Sequence, residues 1–141
     1  MHAHPGNPDA GMATPVEMVV LLLFGVMAMA FLGYLGALHA AGVEVTSAAQ
    51  SAARAGSLAS SPTAAQQAAS AAVQQVLVGR CGGGTSTRLS WTPSATGSWR
   101  GGAVTVEVRC TVTNRALGGP FAGGSRTLVA TDTQPVDRYR R

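Results

Sequence analysis

With 141 residues and only 11% charged side chains, the chain has room for one small domain and too little length for a large core without a staple. Its formal charge of +4 comes wholly from arginine, because lysine is absent. The arginines are scattered, with no interleaved aromatics before Arg138-Tyr139-Arg140-Arg141, which argues against a nucleic-acid surface.

Residues 1–13 (MHAHPGNPDAGMA) are rich in Pro and Gly and read as an unstructured tail. His2 and His4 lack a third donor, so no metal site is expected. Thr14-Pro15-Val16-Glu17 then spells a helix start. The Thr14 hydroxyl can accept from the third backbone N–H, Pro15 sits where no N–H is needed, and Glu17 can reach back to the cap.

Met18 to Leu38 (MVVLLLFGVMAMAFLGYLGAL) carries no charge, and its only polar group is the Tyr34 hydroxyl. At 1.5 Å per residue these 21 residues reach about 30 Å, the depth of a bilayer's hydrocarbon core. The stretch therefore reads as a single transmembrane helix, and Glu17 as a carboxylate at its mouth. Two roles for Glu17 follow from that position: completing the cap, or meeting a cationic partner. The span is too long for the apolar region of a cleaved secretory signal, and no Lys or Arg precedes residue 54. Arginine placement weakly favours a cytoplasmic C-terminus, whereas the cysteines favour an oxidising compartment.

Helical composition continues past the span to about Leu58, some 65 Å from Pro15 at the same rise. Ala41, Val45, Ala48, Ala52 and Ala55 form the expected apolar stripe. Gly33, Ala37 and Ala41 follow one another at four-residue steps, a spacing that lets helix backbones approach closely; an Ala-rich composition alone would also produce it. Ser60-Ser61-Pro62 breaks this helix and caps a second, Pro62 to about Val78, apolar at Ala65, Ala69, Ala72, Val73, Val76 and Leu77.

Beyond Gly79 the composition turns to β-branched residues. Leu89 and Trp91 alternate with Arg88 and Ser90, and Ala103–Thr113 (AVTVEVRCTVT) is the clearest strand, with Val104, Val106, Val108, Cys110 and Val112 on one face. A last strand is expected near Arg126–Thr133, ended by Pro135. Cys81 closes the second helix and Cys110 lies on the apolar face of the best strand, so a Cys81–Cys110 disulfide is expected, worth roughly 3.6 kcal/mol in the chain-entropy model. The fold class is therefore α+β: a long transmembrane helix with an amphipathic extension (14–58), then a small α+β domain (59–141) with a short helix and an antiparallel sheet of about three strands.

No catalytic constellation is present. The three histidines lie at or before residue 39, the acids form no spaced pair, and Gly82-Gly83-Gly84 lacks the rest of a phosphate loop. Neither an enzyme, nor a cofactor, nor a small-molecule substrate is expected.

Three stretches carry a resemblance: Gly11-Met12-Ala13-Thr14-Pro15-Val16-Glu17 with the span, Ala48-Ala49-Gln50-Ser51-Ala52-Ala53-Arg54-Ala55, and Leu128-Val129-Ala130-Thr131 leading to Pro135-Val136-Asp137-Arg138-Tyr139-Arg140. In this order they resemble type IV pilin-like proteins, and most closely the TadE-like minor pilins (pseudopilins) of tight-adherence systems. The resemblance implies a bacterial cytoplasmic-membrane protein with its C-terminal domain outside. It implies partners in membrane lipid and, through the long helix, in a major pilin or sister minor pilins. It also implies leader cleavage after a Gly and pairing of Glu17 with a neighbour's N-terminal amine. A cut between Gly11 and Met12 would leave Glu17 sixth, where the family has its Glu fifth, and this leader lacks the usual Lys or Arg; an uncut anchor is the other state. The alternative function is a signal-anchored extracytoplasmic binding module that would display Trp91 and Trp99.

Overall fold

The computed structural model describes residues 15–114 and 123–138. The described residues divide into two compact units, one ending at Gly33 and the other beginning at Tyr34. One helix, α1 (Pro15–Ser57), starts in the first unit and ends in the second. Pro15 stands at its first position and Glu17 in its first turn, where a carboxylate complements the N-terminal end of the helix dipole.

In the first unit the helix is apolar and exposed. Leu22, Phe24, Met27 and Met29 each show 67% or more of their surface. A Cβ built on Gly25 or Gly33 would meet nothing within 4 Å.

The second unit holds the rest of α1, then α2 (Pro62–Val76), β1 (Thr85–Thr92), β2 (Ala103–Thr113) and β3 (Ser125–Pro135). The Ser61 side chain caps α2 by accepting from the Ala64 N–H at 3.2 Å, with Pro62 following it. α2 ends at Val76, two residues before the expected Val78, and this leaves Val76 exposed while Leu77 turns into the core. The strands form an antiparallel meander with β2 in the centre.

Period-two alternation in β2 sorts the sheet into two faces. Val104, Val106, Val108, Cys110 and Val112 are buried, joined on their side by Leu89 and Trp91 of β1 and by Leu128 and Ala130 of β3. Against this face pack Val45, Ala48, Ala49, Ala52 and Ala53 of α1 and Ala69, Val73 and Leu77 around α2. The buried α1 positions recur at three- and four-residue steps. Ala41 and Ala55, expected on the stripe, are only half-buried, because the stripe rotates to include Ala49, Ala53 and Gly56.

Small residues set how close helix and sheet come. A Cβ on Gly56 would lie 3.3 Å from both Leu89 Cδ1 and Val104 Cγ1. The opposite sheet face is hydroxylated: Thr105 bonds Thr133 at 2.9 Å and Thr111 bonds Thr127 at 3.1 Å across strands. Glu107 and Arg109 pair there at 2.6 Å.

Candidate membrane and assembly helix

The described residues contain one helix long and apolar enough to cross a membrane, and none of its most apolar 18-residue window is buried. Burying such side chains is worth about 1.5–3 kcal/mol each relative to water, so covering this surface is strongly favourable. Glu17, in the first turn of the same helix, is exposed. Its expected cap partner Thr14 and the expected cleavage residues Gly11 and Met12 lie outside the described residues.

The small residues singled out for helix packing fall in different settings. Gly33 is exposed, with open space where a side chain would project. Ala37 and Ala41 are half-buried. Glu44 on the following turn pairs with Arg80 at 3.3 Å, an exposed ion pair worth about 1 kcal/mol or less.

Cys81 and Cys110 form a disulfide, with Cα atoms 5.3 Å apart. It joins the segment after α2 to the centre of the sheet, where Cys110 is 1% exposed. The glycines beside it continue the pairing beyond β1. Gly83 donates its N–H to Thr111 O at 2.9 Å, and Thr111 donates to Gly84 O at 3.0 Å. A Cβ on Gly83 would lie 2.6 Å from Thr111 Cγ2, so this glycine serves a close backbone approach.

The two tryptophans are structural. Trp91 and Trp99 have ring centroids 5.4 Å apart and both pack against the core, while Trp99 Nε1 donates to Ala59 O at 3.0 Å and ties the α1–α2 connection to the sheet.

One contact escaped the sequence reading. Gln66 of α2 accepts from the Leu89 N–H through Oε1 at 3.2 Å and donates through Nε2 to Thr87 O at 3.4 Å. Its amide occupies the outer side of β1 as another strand's peptide would. Only the i,i+3/i+4 phase of α2, which sets Gln66 beside Ala65 and Ala69, could have hinted at this.

Two grooves run between α1 and β3, and another lies where the chain leaves both elements. Leu35, Leu38, Val43 and Val45 share one with Leu128 and Val129. Ser47, Gln50, Ser51 and Arg54 share the next with Asp132 and Gln134. Ser57 to Ser60 share the last with Trp99, Val136 and Asp137. Helix and strand therefore advance in the same direction. No group of three or more His, Cys, Asp or Glu side chains capable of holding a metal ion occurs among the described residues.

No protein-family model, no curated protein and no solved structure matches this chain.

Proposed function

We propose that the chain is a structural minor pilin (pseudopilin) of a tight-adherence, type IV-like pilus. In this reading one transmembrane helix anchors it in a bacterial cytoplasmic membrane, and the same helix packs with a major pilin or sister minor pilins to prime or support a filament. The observation that carries the reading is the uncovered apolar surface of α1, from Val16 to Leu35, continuing without a break into a helix whose next turns build a folded domain. Lipid covers such a surface before assembly, and neighbouring helices cover it afterwards.

Two further features support it. A carboxylate taken into lipid costs about 2.5–3.5 kcal/mol on insertion scales, so exposed Glu17 gains from a cationic group on a neighbouring subunit. The Cys81–Cys110 disulfide suits an oxidising compartment, with the strand domain outside the membrane. The tethered binding module is less well supported, because Trp91 and Trp99, its natural contacts, are engaged with each other and with the core.

Glu17→Ala is the direct test. Loss of the cap alone costs about 0.5–2 kcal/mol, too little to expel the span. The variant should insert, keep its disulfide and lose co-purification with filament subunits; unchanged co-purification would refute the pairing role. Leucine at Gly33, Ala37 or Ala41 should likewise block assembly, whereas a tethered binder would tolerate it.

A further inference from the structure

We infer that the β2–β3 end of the strand domain is itself a lipid-binding surface, seated in the headgroup layer with Leu128 and Val129 toward acyl chains and Arg126 toward lipid phosphates. The inference rests on the reading of α1 as a membrane span.

The argument is one of height within the second unit. Because β3 advances with α1, each strand residue has a helical counterpart at its level. Leu128 and Val129 share their groove with Leu35, Leu38 and Val43. A strand rises about 3.3 Å per residue and a helix about 1.5 Å, so two strand residues match between four and five helical ones. Stepping back from Leu128 to Arg126 therefore reaches the level of Tyr34–Leu38, the last apolar turn before His39. If that turn is in the membrane, the end of the sheet meets the membrane surface.

The side chains at this end suit that setting. Val129, Val43 and Leu35 are 50%, 56% and 43% exposed, so the groove presents apolar surface in continuity with the apolar turn of α1. Arg126 projects on the same sheet face as Leu128, is exposed, and has no ion-pair partner among the described residues. A guanidinium beside apolar side chains at a helix exit matches the phosphate layer of a phospholipid, where its planar donors bind oxygens in pairs. Ser125, next to it on β3, is exposed at the same level. Higher on the strand the groove becomes polar, lined by Asp132, Gln134 and Arg54, as expected where water returns.

The test uses the full-length protein, one copy per nanodisc, in phosphatidylglycerol and phosphatidylethanolamine. The native cysteines are bridged, so a single introduced cysteine takes an environment-sensitive fluorophore selectively. Labels go at Phe31→Cys in the span, Val129→Cys at the proposed surface and Thr133→Cys higher on the same strand. Lipids carrying a nitroxide near the headgroup should quench the Val129 label about twofold and leave the Thr133 label bright, and lipids carrying it deep on the acyl chain should quench the Phe31 label. Arg126→Glu in the Val129→Cys background should reduce that quenching, and Arg126→Lys should retain most of it. Quenching at Phe31, with Val129 quenched only by aqueous iodide, would show that the domain stands clear of the bilayer and would overturn the inference while keeping the anchor. An unquenched Phe31 label would remove the anchor reading and this inference together.

Discussion

Two stretches of α1 reverse the usual relation between side-chain size and burial. From Val16 to Leu35 the large residues Leu, Met, Phe and Val are exposed, Phe24 at 72% and Met29 at 77%. From Val45 to Ser57 the buried residues are one valine, four alanines, a glycine and a serine. The second stretch contributes little apolar area of its own; its small side chains let α1 approach the valines of β2, and contact is gained through distance rather than bulk. The first stretch has the bulk, and up to Gly33 none of its large side chains is buried by the described residues. Large apolar side chains thus mark the surface the fold leaves open, and small ones mark where the chain packs on itself.

The contrast can be broken most strongly at the staple. Cys110→Ser should cost the strand domain about 3.6 kcal/mol by the chain-entropy estimate, read as a lower denaturation midpoint, because a core of alanine and valine has little reserve. Ala52→Leu comes next. Ala52 is 0% exposed, so added bulk should destabilise by about 1–3 kcal/mol although it raises hydrophobicity. Gln66→Ala should cost about 0.5–1.5 kcal/mol, with faster amide exchange at Leu89, whose N–H loses its acceptor. Leu22→Ala should be the mildest. Leu22 is 67% exposed, and the unfolding free energy of the strand domain should change by less than about 0.5 kcal/mol. A large effect at Leu22, or none at Ala52, would collapse the distinction.

Much of this fold was legible because its signals were local. The valine alternation of β2 needs only period two, the Ser61-Pro62 start of α2 only capping chemistry, and the charge-free run after Glu17 only length. The Cys81–Cys110 bridge followed from two residues placed on facing apolar surfaces. The phase of α1 after Val45 was legible only in part. Where alanine, glycine and serine fill nearly every position no hydrophobic contrast marks a face, so Ala49, Ala53 and Gly56 were missed and Ala55 was included. Gln66 was invisible for another reason: a polar side chain becomes an edge cover only once tertiary packing sets it beside Leu89. The level of β3 against α1 likewise belongs to packing alone.

The bridge between Cys81 and Cys110 also has a mechanical consequence. It closes a covalent ring over a sequence separation of 29 that contains all of β1, most of β2 and the Trp91–Trp99 pair, and leaves α1 and β3 outside. Tension applied along the backbone passes from Cys81 to Cys110 through the sulfurs and bypasses the ring. About 100 Å of contour length is thereby withheld from extension, and β3, which lies outside the ring, becomes the first strand to yield.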